Sequence, residues 1–108
     1  MNRTYVKALR ERLEDVPFSP NNKVLDVACG VSILGKVFGT DVYGIDTNKE
    51  AVKAAIKNGI KATCGDVEKK WAYENGFFDI VIASHIIEHV VNPDHLFLEA
   101  KRVLKKNG

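Results

Sequence analysis

Three aspartates stand where apolar runs meet small residues. Asp26 lies inside Val24-Leu25-Asp26-Val27, Asp46 closes Asp41-Val-Tyr-Gly-Ile-Asp46, and Asp66 follows Cys64-Gly65. A carboxylate at the end of a strand can accept two hydrogens at once, from a pair of hydroxyls or from an amino group. Between the first two stands Ala28-Cys29-Gly30-Val31-Ser32, in which Ala28, Cys29, Gly30 and Ser32 carry almost no side-chain bulk. Such a turn lets backbone N–H groups approach a ligand closely, and a helix opening after it offers its N-terminus to polar or negative groups.

Each carboxylate has a specific and a plainer reading. Asp46 comes sixteen residues after Gly30, a position suited to accepting both hydroxyls of a ribose. The plainer role is a negative charge favouring a helix N-terminus. Asp66 can accept from an adenine amino group while the Val67 N–H donates to a ring nitrogen. The plainer role is a turn residue bonding its own backbone. Asp26 would be costly in an apolar run without a partner. It meets either backbone donors in the turn or a cationic end of a ligand, and both roles stay open.

Other chemistry-bearing residues have stronger plain readings. Cys29 at a helix start could be an activated thiol, but no base neighbours it, and packing in the turn explains it. His85-Ile-Ile-Glu88-His89 matches the H-x-x-E-H zinc pattern, with His95 following. That pattern needs an established helix, whereas here it starts directly after an apolar run, with Pro93 soon after. No metal site is expected. Trp71 and Tyr73 could stack on a base, but covering the core is the expected role.

The elements that must position these groups follow from periodicity. The chain has 108 residues, one domain's worth, with 45% hydrophobic and 28% charged residues. A net charge of +2 gives no reason to expect nucleic acid. No apolar run reaches membrane-spanning length, and the first residues lack a signal-peptide core. Cys29 and Cys64 are expected as reduced thiols in a cytoplasmic protein. Val6, Leu9, Leu13 and Val16 predict an amphipathic helix over residues 2–16, closed by Pro17 and Pro20. Residues 23–28 predict a buried strand, and Ile33, Leu34, Val37 and Phe38 a short helix. Residues 41–46 predict a second strand. Thr47 and Glu50 form a capping box for a helix burying Val52, Ala55 and Ile56. Residues 61–64 and 77–84 predict the third and fourth strands, with an irregular segment between. Asn92-Pro93 starts a last helix carrying Leu96, Phe97, Ala100, Val103 and Leu104, ended by Asn107-Gly108.

Alternating helices and strands imply an α/β fold with a parallel sheet. Ligands of such sheets bind beyond the carboxyl ends of the strands. Here that edge is Ala28 to Ser32, Asp46-Thr47, Asp66-Val67 and Ser84-His85. A dinucleotide site of G-x-G-x-x-G type is the competing reading, but only Gly30 fits that pattern.

Leu25-Asp26-Val27-Ala28-Cys29-Gly30, Gly44-Ile45-Asp46, Cys64-Gly65-Asp66-Val67 and Phe78-Asp79-Ile80-Val81 through Ser84 together resemble four motifs of the class I S-adenosylmethionine-dependent methyltransferases. Ile87-Glu88-His89-Val90 is similar to the small-molecule and quinone-type branch, which gives His89 a non-metal account. The resemblance implies a Rossmann-like three-layer sandwich with about four parallel strands in the order 3-2-1-4, incomplete at its C-terminal side. It implies S-adenosyl-L-methionine as cofactor, held by Asp26, Ala28, Cys29, Gly30, Ser32, Asp46, Thr47, Asp66, Val67 and Ser84. Ser84 and His85 would lie nearest the methyl group, with His85 as the candidate general base. The alternative is a subunit that binds the cofactor or serves as a scaffold without catalysing.

The sequence departs from the family pattern in two ways. Ala28 and Ser32 stand where the family often has glycine. The family also continues for three more strands, whereas Arg102-Val103-Leu104-Lys105-Lys106-Asn107-Gly108 resembles the turn before the fifth. Residues 1–108 are therefore expected to form a single domain whose fourth strand is an edge. Its stretch from Phe78 to Ala83 would pair with a second copy or with a partner chain.

Overall fold

The computed structural model describes residues 22–28, 41–83 and 91–106. The expected helices over residues 2–16 and 33–38 lie outside the described residues, as do Cys29, Gly30, Ser32, Ser84, His85, Glu88 and His89.

Four strands form one parallel sheet: β1 (Lys23–Val27), β2 (Asp41–Asp46), β3 (Lys61–Cys64) and β4 (Ile80–Ile82), in the spatial order β3-β2-β1-β4. This is the expected α/β order. Two helices are described, α1 (Lys49–Lys57) and α2 (Pro93–Val103). The pleat divides the apolar residues between two cores. Val24, Val42 and Ile82 pack with Ala55 of α1 and with Ile60. Leu25, Val27 and Ile45 pack with Leu96 and Val103 of α2 and with Val67, Trp71 and Phe78 of the segment before β4. The two residue sets alternate along β1, so α1 and α2 cover opposite faces. A central strand covered on both sides must be apolar throughout, as β1 is except at Asp26.

Several local expectations change. The cap of α1 is Asn48, not Thr47: Asn48 Oδ1 accepts the N–H groups of Glu50 and Ala51 at 3.0 and 3.1 Å. Asp46 Oδ1 accepts the Asn48 N–H at 2.9 Å, which holds Thr47 outside the helix. Ile56 is exposed; the buried face is Val52 and Ala55. Its place is filled by Ile60, which returns to the core after Gly59 turns with φ +86°.

The α2 start is as expected, with Asn92 as cap and Pro93 in the first turn. Phe97 is exposed while Glu99 is buried. Leu96, Glu99 and Val103 share the inward stripe, and Phe97 falls one helical step, about 100°, away from Leu96. The helix ends at Val103, and Leu104 turns extended.

The regular part of β4 is only Ile80–Ile82, shorter than the expected 77–84. Phe78 pairs instead with Leu104 in an isolated parallel bridge. Its N–H donates to Val103 O and its carbonyl accepts from Lys105 N, both at 2.8 Å. Part of the edge expected to be open for an outside partner is thus taken by the stretch after α2. Asp79 secures the same corner. Its Oδ2 accepts the Lys23 N–H at 2.8 Å, and Lys105 Nζ lies 3.1 Å from its Oδ1.

Candidate functional site

Register decides which residues share the rim. In β1 and β2 Val27 lies opposite Ile45, and in β2 and β3 Asp46 lies opposite Cys64. All three strands run the same way, so Ala28, Asp46-Thr47 and Gly65-Asp66 emerge at one edge of the sheet. Asp26 lies opposite Ile82, so β4 also runs toward this edge.

Ala28 is a left-handed residue, with φ +55°. A Cβ in that region crowds the following carbonyl, which is why glycine is the usual occupant. The residue that follows β1 is therefore under backbone strain. Asp26 is 8% exposed within β1. Among the described residues no buried side-chain polar atom lacks a hydrogen-bond partner, as the cost of an isolated buried carboxylate requires.

Asp46 sits between two strand ends. Its side chain holds the Asn48 N–H, and its carbonyl accepts the Gly65 N–H at 2.9 Å. Asp66 makes a turn of its own: Oδ1 accepts the Glu68 N–H at 2.9 Å and its carbonyl accepts the Lys69 N–H at 3.1 Å. The turn-forming role weighed for Asp66 is thus present. It occupies Oδ1 at a carboxylate that is exposed at the rim. Thr47 is exposed, and Val67 is buried in the α2-side core. Cys64 is an exposed free thiol whose Sγ is 3.4 Å from Thr47 O.

The segment from Asp66 to Gly76 has no regular structure, yet α2 holds it at several points. Trp71 is 1% exposed and is part of the core, with its indole N–H donating to Val67 O at 2.8 Å. Tyr73 packs edge-on against Tyr43 and Phe78. Glu99 Oε1 accepts the Trp71 N–H at 2.7 Å. Arg102 donates to Trp71 O, Tyr73 O and Asn75 Oδ1 at 2.8, 2.8 and 3.0 Å, and to Glu99 Oε2 at 2.7 Å. The Arg102 guanidinium holds the Glu99 carboxyl below the usual range, helped by the Trp71 N–H. The Lys23 N–H does the same for Asp79, with Lys105 adding to it. His95 Nε2 lies 2.9 Å from Lys69 O.

The structure thus brings Ala28, Asp46, Thr47, Asp66 and Val67 to one end of the sheet. Cys29, Gly30, Ser32, Ser84 and the candidate base His85 lie outside the described residues. Among the described residues no group of three His, Cys, Asp or Glu is arranged to hold a metal. Sequence reasoning missed Glu68, Glu99 and Arg102. The three-residue spacing of Glu99 and Arg102 is a helix-pair signal, but nothing local marks their loop partners.

Carboxylates end β2 and follow β3 at this rim, beside Ala28 at the end of β1. Residues 25–108 match a family described as a methyltransferase domain. A ubiquinone biosynthesis O-methyltransferase of Pelagibacter ubique is 31% identical over 95% of this chain and 45% of its own length. Phosphoethanolamine N-methyltransferase 3 of Arabidopsis thaliana is 27% identical over 95% of this chain and 23% of its own length. In fold, a TehB-like SAM-dependent methyltransferase from Corynebacterium glutamicum superposes with a TM-score of 0.75 at 20% identity, over 97% of this chain and 67% of that one. The chain spans less than half the length of the curated relatives it matches.

Proposed function

This chain belongs to the methyltransferase domain family, and from that premise we propose that it is the cofactor-binding half of an S-adenosylmethionine-dependent methyltransferase. The observation that carries the proposal is the shared rim. Asp46 ends β2, Asp66 lies two residues beyond the adjacent parallel strand β3, and the Gly65 N–H on Asp46 O joins the two ends.

Asp46 receives the ribose hydroxyls. Asp66 receives the adenine amino hydrogen, and the Val67 N–H donates to a ring nitrogen. The turn from Ala28 to Ser32, with Asp26, Thr47 and Ser84, completes the cradle. Bound S-adenosylmethionine supplies an electrophilic methyl group on a sulfonium. An acceptor lone pair on N, O or C forms the new bond as the C–S pair returns to sulfur, and the acceptor's proton leaves to a base. His85 is the residue of this chain proposed for that proton. The protein's contribution is alignment in a site shielded from water. Residues 1–108 act as one domain in the cytoplasm, and no described helix is long and apolar enough to cross a membrane. The outer edge of Ile80–Ile82 pairs with a second copy or another chain. Light scattering at low concentration checks this, and a stable monomer would contradict it.

Calorimetric titration with S-adenosylmethionine tests the central reading. Binding to the wild-type chain, with at least about tenfold weaker binding by Asp46→Asn, is expected from the loss of charge-assisted hydrogen bonds. Asn retains an oxygen for the Asn48 N–H, so the helix start is preserved. Unchanged affinity would falsify the assignment of Asp46. Release of S-adenosylhomocysteine on adding candidate O- and N-acceptors separates a catalyst from a cofactor-binding subunit.

A further inference from the structure

Glu68 is a polar residue that the proposed site does not use. It is exposed, two residues beyond Asp66, and its side chain is nonetheless fixed. Glu68 Oε1 accepts the Val91 N–H at 2.5 Å and the Asn92 N–H at 3.3 Å. Those amides belong to the backbone entering α2, where Asn92 is the cap and Oδ1 of Asn92 accepts the His95 N–H at 3.2 Å. At its other end Glu68 gives its own N–H to Asp66 Oδ1. A single residue therefore links the Asp66 carboxylate to the start of α2. The anionic oxygen receives two N–H groups, the stronger type of hydrogen bond. It also adds negative charge beside a helix N-terminus, where charge is favoured.

Other ties between this segment and α2 act farther along it. His95 meets Lys69 O, and Glu99 and Arg102 hold Trp71 and Tyr73. The Gly65 N–H on Asp46 O and the buried Val67, whose carbonyl takes the Trp71 indole N–H, hold the backbone on either side of Asp66, and Glu68 is the tie from this turn to the backbone entering α2. Without it the turn keeps these anchors and its internal hydrogen bond, but the exposed Asp66 carboxylate has a wider range of directions between them.

Resting on the nucleoside reading above, we propose that Glu68 is a positioning residue for adenine recognition: its carboxylate fastens the Asp66-Val67 turn to the backbone entering α2 and so sets the direction of the Asp66 carboxylate. Adenine presents an amino donor and a ring-nitrogen acceptor. Hypoxanthine presents an oxygen acceptor and an N–H donor, so both contacts become mismatches. A fixed Asp66 rejects hypoxanthine; one with a wider range of directions discriminates poorly.

The test compares S-adenosylhomocysteine with S-inosylhomocysteine by calorimetry on the wild-type chain, Glu68→Ala and Glu68→Gln. Wild type is expected to prefer the adenine ligand by about tenfold or more, since a mismatched polar pair costs at least that much. Glu68→Ala is expected to lower the ratio at least about threefold, with Glu68→Gln intermediate because its amide oxygen still accepts. In amide-exchange NMR without ligand, Val91 and Asn92 lose protection in Glu68→Ala, showing that the tie existed and was cut. An unchanged ratio despite weaker binding of both ligands would overturn the proposal and leave Glu68 a structural residue. A wild-type chain that prefers neither base also overturns it. If wild type binds neither ligand, the cofactor reading itself fails, and this inference falls with it.

Discussion

Gly65 donates its N–H to the carbonyl of Asp46 at 2.9 Å, and a Cβ on Gly65 would lie 3.0 Å from Ile45 Cδ1 and 3.3 Å from Ile45 Cγ1. The two strand ends that carry the rim carboxylates are thus spaced by a residue whose Cβ would crowd Ile45. Gly65→Ala is expected to cost about 1–2 kcal/mol through overpacking. Ile45→Val removes the nearer atom. The double variant is therefore expected to be more stable than the two single losses would sum to, as contacting sites are not additive. Urea denaturation of the four proteins measures this, and strict additivity would contradict the contact.

Ala28 holds φ +55° at the end of β1. Ala28→Gly is expected to raise stability by about 1 kcal/mol, because the left-handed cost exceeds the extra freedom that glycine has in the unfolded chain. Ala28→Val, branched at Cβ, is expected to destabilise. A loss of midpoint in the glycine variant would show that the residue is not strained.

Arg102→Ala is expected to destabilise the chain by about 2 kcal/mol, below the range for a fully buried pair because the Arg102 side chain keeps 20% exposure. The loss comes from leaving Glu99 and the carbonyls of Trp71 and Tyr73 without their donor. Trp71 fluorescence provides the readout, since the indole is fully buried in the native chain.

Both Glu99 and Asp79 have lowered pKa values in the folded chain, the first chiefly through Arg102 and the second through the Lys23 N–H. On acidification the unfolded carboxyls therefore take up protons first. Their contribution to stability is fully present above the usual carboxylate range and is lost as the pH falls through that range and below it. Urea midpoints are expected to be level near neutrality and to fall in acid, with Glu99→Gln showing a shallower fall. A midpoint independent of pH in acid would refute both assignments.

The sheet order and the rim were legible because each strand is a short apolar run ending in small or polar residues, and a parallel sheet brings such ends together. The structure departs from the local pattern where two residues of similar propensity compete. Thr47 and Asn48 are both capping residues, and only the Asp46 side chain on the Asn48 N–H settles which one acts. Ile56 and Phe97 fit a helical apolar stripe, but α1 and α2 meet the sheet along narrower stripes that leave both outside. Glu99 was invisible as a core residue because one of its partners is the Trp71 N–H, twenty-eight positions away, and the Arg102 beside it is held by loop carbonyls similarly far along the chain. The shortened β4 reflects the Phe78–Leu104 pairing, a contact across twenty-six positions that no local pattern announces.

Glu99 and Arg102 also bind the fate of an irregular segment to that of a helix. Residues 66–76 lack a hydrogen-bond ladder of their own, so their amides would ordinarily exchange with solvent through small local openings. Freeing the Trp71 N–H here requires displacing a side chain anchored in α2. The loop and the helix are then a single cooperative unit, and Trp71 should exchange its hydrogen no faster than the interior of α2 does.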